Sequence, residues 1–282
     1  MTSFPDHYLS PRHLPFNRSI LGDKFRMGAP GQEPGGSGFL LCLRGTEIFV
    51  RQGDAGTNLP ESMVNPGDLF IGTWEGRPCR IRSLAEGEVP PPGLVAESLL
   101  ASRPGLSVPL LSLGGLAGQI LHWEASSRHC SRCGGKLSFH SDEWGKKCVA
   151  CSYSHYPHIH PCAIVLVERP GEVLLVRKPA WPEGRYSLVA GFLEFGECLE
   201  ETVTREVAEE TGVTVEGIEY VGSQCWPFPS QLMAGFRARY KDGKVRPDLD
   251  ELEDARWFPL SALPVLPPRR SISRFLIDQA GA

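Results

Sequence analysis

A strong charge of either sign is missing from this chain: 29 Lys and Arg stand against 33 Asp and Glu over 282 residues, a formal net charge of -4. With so little imbalance there is no chain-wide field to draw in polyanions or anionic lipid, although a local basic patch stays allowed. Long apolar runs are missing as well. None approaches the roughly 18 residues that a helix needs to cross a bilayer. The opening MTSFPDHYLSPRHLPF places prolines and charges where a secretory signal requires an apolar core. No internal repeat is visible. These absences favour a cytoplasmic protein with no membrane partner. What is present, 41 % hydrophobic and 22 % charged residues, is the composition of a globular chain, long enough for two modest domains or one domain with an attached module.

Cysteine is plentiful, at nine residues, and its placement is informative. Cys130 and Cys133 form one C-x-x-C pair, and Cys148 and Cys151 a second, fourteen residues apart and with two glycines after the first. In a reducing compartment such pairs are metal ligands sooner than disulfides. Four thiolates close a tetrahedral Zn²⁺ site with no open position, so one structural zinc per chain is expected, holding the fold and doing no catalysis. Cys42, Cys79, Cys162, Cys198 and Cys225 are scattered and read as free thiols.

Hydrophobic patterning divides the chain into three parts: a mixed α/β domain over 1–122, a zinc ribbon over 123–156 and a third domain over 157–282. In the first, SGFLLCLRGTEIFVRQG reads as a hairpin and LVAESLLASR as a short helix. LAGQILHWEASS, with Leu116, Ile120 and Trp123 at helical spacing, leads into the first cysteine pair. After the ribbon, AIVLVE and EVLLVRK form two strands about an RPG turn. ECLEETVTREVAEETG reads as a helix of about four turns stopped by Gly212, and the tail ends in an amphipathic helix. Strands alternating with single helices give an α+β or α/β sandwich.

The helix after GFLEFGE places Glu206, Glu209 and Glu210 within an arc of about 100°. Three carboxylates so close either form a solvated acidic face or hold hard divalent cations, Mg²⁺ or Mn²⁺. The wider stretch decides between these. Gly191, Glu197, Arg205, Glu206, Val207, Glu209, Glu210, Gly212 and Val213 meet every specified position of G-x5-E-x7-R-E-U-x-E-E-x-G-U, where U is aliphatic. This resembles the Nudix box, the signature of hydrolases that cleave a diphosphate linked to a nucleoside. The resemblance implies an α/β/α Nudix sandwich, with Glu206 and Glu210 as metal ligands together with the backbone carbonyl of Ala190. Glu209 is then a ligand or general base, Glu251 a further ligand, and Arg205 the residue that holds Glu197.

Just beyond the box, Ser223-Gln224-Cys225-Trp226-Pro227-Phe228-Pro229-Ser230 sets two aromatic rings on a stiff backbone. It is either a buried aromatic turn or a stacking platform for a purine or nicotinamide ring. The segment resembles S-Q-P-W-P-F-P-x-S of the NADH pyrophosphatase subfamily, with Cys225 in place of the first proline and Gln231 in place of the final serine. The four-cysteine ribbon and Tyr156-Pro157 after it extend the likeness, and Glu143, Tyr156 and Ser273 match ligand-contacting positions. The subfamily's properties imply a homodimer that hydrolyses NAD(H) to nicotinamide mononucleotide and AMP and removes NAD caps from RNA 5′ ends. Two alternatives stay open: a Nudix hydrolase of ADP-ribose or another dinucleotide, and a non-catalytic nucleotide- or RNA-binding protein.

Overall fold

The computed structural model describes residues 4, 5, 7–53 and 56–281, and the chain divides into two compact units. One contains 18–159 and 227–230; the other contains 4–17, 160–226 and 231–282. Among the described residues no helix is long and apolar enough to cross a membrane.

The first unit is built on an eight-stranded sheet of β1 (Phe25–Met27), β2 (Ser37–Arg44), β3 (Glu47–Gly53), β4 (Gly56–Asn58), β5 (Glu61–Met63), β6 (Leu69–Trp74), β7 (Arg77–Ser83) and β8 (Val95–Ser98). The expected hairpin is present as β2 and β3, in register from Arg44 opposite Glu47. The expected short helix in LVAESLLASR is absent. Its first residues form β8, which pairs with β3 from Val50 opposite Val95 to Glu47 opposite Ser98. An available sheet edge overrides a weak local helix preference. Helix α1 (Val108–Ser126) begins well before the periodic segment and buries Leu111, Leu113, Ile120 and Trp123. It leads into a three-stranded ribbon of β9 (Leu137–Phe139), β10 (Lys146–Cys148) and β11 (Ser154–His155).

The second unit carries a six-stranded sheet, β12 (His160–Arg169), β13 (Glu172–Arg177), β14 (Val189–Phe192), β15 (Val213–Trp226), β16 (Gln231–Gly243) and β17 (Asp254–Pro259). Its order is β15-β16-β12-β13-β17, with β14 on β12, and β12 runs parallel to β16. Alternation along β12 gives the sheet two buried faces. Ala163, Val165 and Val167 join a core with Val203 and Val207 of α2 (Leu199–Thr211). Ile164 and Leu166 join the opposite core with Ile272, Phe275 and Leu276 of α3 (Ile272–Ile277). A sheet with one helix on each face is the expected α/β/α sandwich. Leu14, fully buried in the second core, anchors residues 7–17 to this unit.

Candidate active site

Helix α2 starts where the Cys198 N–H donates to Glu201 Oε2 at 2.7 Å, a capping contact made one turn ahead. It stops at Gly212, whose φ of 70° a side chain would resist. Val203 and Val207 point into the core, so the face carrying Glu206 and Glu210 is held toward β14 and the end of β13.

Arg205 is the hub of the acidic face. Its Nε donates to Glu197 Oε1 at 2.6 Å and its Nη2 to Glu197 Oε2 at 2.9 Å and to the Phe192 carbonyl at 2.9 Å. Its Nη1 reaches Glu206 Oε1 at 2.9 Å and Glu209 Oε2 at 3.1 Å. Glu197 also accepts from the Glu194 N–H and the Thr202 hydroxyl. Arg205 and these two donors hold its carboxyl down at about 2, against the opposing effect of burial. Glu206 is packed against backbone: a Cβ added at Gly191 would stand 1.8 Å from its Oε1. Glycine at 191 is therefore a packing requirement of the Glu206 carboxylate.

Glu210 is only 3 % exposed. Burial pushes its carboxyl up to about 7, against the opposing pull of Lys178. Lys178 Nζ lies 3.2 Å from Glu210 Oε1 and 3.6 Å from Glu251 Oε2. The other oxygen, Glu210 Oε2, is buried with no hydrogen-bond partner. A buried carboxylate oxygen without a donor is expensive, and a divalent cation removes that cost. Glu251 arrives by a separate route. The Asp248 N–H donates to the Glu210 carbonyl at 2.9 Å, and the Leu252 N–H closes a turn on the Asp248 carbonyl at 2.7 Å. This turn brings Glu251 over the end of α2. Ala190 lies on β14 opposite Ile164, on the same strand as Gly191. The carboxylates, their orphaned oxygen and the glycine cradle fit a hard cation.

Sequence reasoning missed Lys178 and Arg177. Arg177 is 9 % exposed and pairs with Glu253 at 2.9 Å while donating to the carbonyls of Pro182 and Trp181. Both residues sit where β13 ends, and neighbours there point to opposite faces. No local pattern distinguishes them from ordinary surface charge.

The Ser223–Trp226 segment closes β15, with Trp226 opposite Gln231 of β16. Gln224 is fully buried. Its amide donates to the carbonyls of Pro15 and Arg270 and accepts from the Ile272 N–H at 2.7 Å, so both its N–H groups and its oxygen are engaged with backbone. The Cys225 N–H donates to Asn17 Oδ1 at 2.8 Å. The Trp226 ring meets Phe16 edge-on at 5.7 Å. Pro227 and Ser230 are buried, Phe228 half-buried and Pro229 exposed. Ser273, on α3, is buried with its hydroxyl 2.7 Å from that of Ser187.

In the first unit, Tyr156 is exposed and its hydroxyl donates to Glu143 Oε1 at 3.3 Å. The sulfurs of Cys130, Cys133, Cys148 and Cys151 all lie within 4.8 Å of one another, as one tetrahedral ion requires. The Cys151 N–H, 3.5 Å from Cys148 Sγ, leads the effects that lower that thiol to about 6. A Cβ at Gly135 would sit 3.0 Å from the Cys148 sulfur, which explains the second glycine of the first knuckle. These four thiols fit zinc.

Three adjoining segments match known families. Residues 158–279 match the NUDIX domain, 125–156 the NADH pyrophosphatase zinc ribbon domain, and 37–123 the NADH pyrophosphatase-like rudimentary NUDIX domain. The NAD-capped RNA hydrolase NudC of Pseudomonas aeruginosa is 44 % identical over 208 residues, 74 % of each chain. The protein of the same name from Pseudomonas fluorescens is 42 % identical over 245 residues, 86 % of each chain. The chain belongs to the Nudix hydrolase family. Its ribbon and rudimentary domain place this Nudix hydrolase in the NADH pyrophosphatase subfamily. Among solved structures, a Nudix hydrolase from Nitrosomonas europaea covers 47 % of this chain and 77 % of its own at 30 % identity, with a TM-score of 0.42.

Proposed function

We propose that this Nudix hydrolase cleaves the diphosphate of NAD(H) to nicotinamide mononucleotide and AMP, and that an NAD cap on an RNA 5′ end enters the same site. The observation that carries this reading is Glu210: a buried carboxylate with one orphaned oxygen, set beside Glu206 and Glu251 at the end of a complete Nudix helix. The subfamily match and the curated relatives' names support the choice of an NAD-derived diphosphate.

Glu206, Glu210 and the Ala190 carbonyl hold the catalytic cation, Mg²⁺ or Mn²⁺, with Glu251 reaching in from the turn. When bound, that cation neutralises phosphate charge and lowers the pKa of a water. Arg205 fixes Glu206 and Glu197 so that the carboxylates need not reorganise during the reaction. Glu209, 61 % exposed along its side chain, has the freedom to approach an attacking water and take its proton. Trp226 supplies an aromatic face for base stacking, with Ser223 before it on β15. The protein works as a cytoplasmic homodimer with a structural zinc in each ribbon.

The test is purified zinc-loaded protein with Mg²⁺ or Mn²⁺, presented separately with NADH, ADP-ribose and NAD-capped RNA. The expected products are AMP from NADH and 5′-monophosphorylated RNA from the capped transcript. Turnover of ADP-ribose with NADH left intact contradicts the proposal.

A further inference from the structure

Lys178 contacts the acidic site directly, and the metal chemistry gives it no role. Its ammonium stands 3.2 Å from Glu210 Oε1 and 3.6 Å from Glu251 Oε2, bridging a carboxylate of α2 to one delivered by the turn after residue 248. These are two of the groups assigned to the cation. Its side chain is 34 % exposed, against 4 % for Glu210, so the ammonium can withdraw toward solvent while the carboxylate cannot. A lysine suits this position because its charge is compact and its four-carbon stem is flexible, whereas a guanidinium's planar fork fixes geometry.

We infer that Lys178 is the resident counter-ion of the carboxylate site, and that a divalent cation enters by displacing its ammonium from Glu210 and Glu251. This inference rests on the metal-site reading above. One charge must be present because Glu210 is buried beside two other carboxylates. The ammonium sits on Glu210 Oε1 and the orphaned Oε2 of the same carboxylate is the oxygen open to the cation, so the two charges would stand close together, where their repulsion is large in a partly desolvated site. An ammonium held by both carboxylates thus competes with the divalent ion. The exchange keeps the buried carboxylate neutralised without metal and weakens metal affinity, so loading follows the supply of divalent cation or its arrival with a diphosphate.

Mn²⁺ binding to the zinc-loaded full-length protein, followed by electron paramagnetic resonance of free Mn²⁺ without substrate, tests this. Lys178→Met and Lys178→Gln should each bind Mn²⁺ at least five-fold more tightly than wild type, while Lys178→Arg, which keeps a cation there on a fork that is harder to displace, binds it no more tightly than wild type. A lysine with a merely structural role would weaken binding when removed. Unchanged or weaker affinity in the Met and Gln variants overturns the inference while leaving the metal site itself intact. If Met does not yield folded protein, the Gln variant decides. No Mn²⁺ binding by the wild type would instead remove the metal-site reading on which the inference stands.

Discussion

Arg205 and Glu197 meet at two points, Nε to Oε1 at 2.6 Å and Nη2 to Oε2 at 2.9 Å, and the same guanidinium also holds Glu206 and the Phe192 carbonyl. A lysine has the charge but lacks the planar fork. Arg205→Lys should lower kcat for NADH by roughly 10- to 100-fold, the usual cost of losing a residue that orients metal ligands. Unaltered circular dichroism would show that the loss is local.

Gly191 and Glu206 define a second constraint. The 1.8 Å between a Cβ at 191 and Glu206 Oε1 leaves no room for both, and the clashing atoms belong to a carboxylate already 15 % exposed and tied to Arg205. Gly191→Ala should displace Glu206 by about an ångström, which is enough to cost on the order of 100-fold in turnover. Mn²⁺ affinity, measured beside kcat, should fall with it.

Two carboxylates shift in opposite directions, and stability in the absence of Mg²⁺ and Mn²⁺ should show both. Glu197, lowered from 4.5 to about 2, contributes stability that is present above pH 4.5 and lost as pH falls toward 2. Glu210, raised from 4.5 to about 7, binds more protons folded than unfolded, so its destabilising effect is absent below pH 4.5 and complete above pH 7. Urea midpoints should therefore decline from pH 5 to pH 8. Glu210→Gln should remove that decline and leave the acid limb in place.

Cys148 and Cys151 form the second knuckle of the ribbon. Cys148→Ser should reduce bound zinc from one ion per chain to none, because three thiolates with a weak hydroxyl hold Zn²⁺ poorly. Metal analysis by mass spectrometry reads the loss, and a lower Tm for the variant reads its structural consequence.

These residues also show why parts of the molecule were legible in the sequence. The Nudix helix and the cysteine knuckles are contiguous, so their chemistry and spacing appear together; Gly212 ends the helix where the pattern requires. Lys178 was illegible because strand β13 delivers it to a helix 32 residues further on, and nothing local marks it. Gln224 belongs to a motif suggesting ligand contact, yet its amide is consumed by the carbonyls of Pro15 and Arg270, partners no sequence window contains. Val95–Ser98 has a helix-like local pattern, and the edge of β3 that recruits it as a strand lies some fifty residues earlier.

The central claim is that Glu210 holds a divalent cation that acts on a dinucleotide diphosphate. Its most direct test is AMP release from NADH by zinc-loaded wild type and Glu210→Gln with saturating Mn²⁺. Loss of several kcal/mol of transition-state stabilisation predicts a fall of about 1,000-fold or more, with zinc content and the circular dichroism spectrum preserved. Full turnover by the Gln variant would contradict the account.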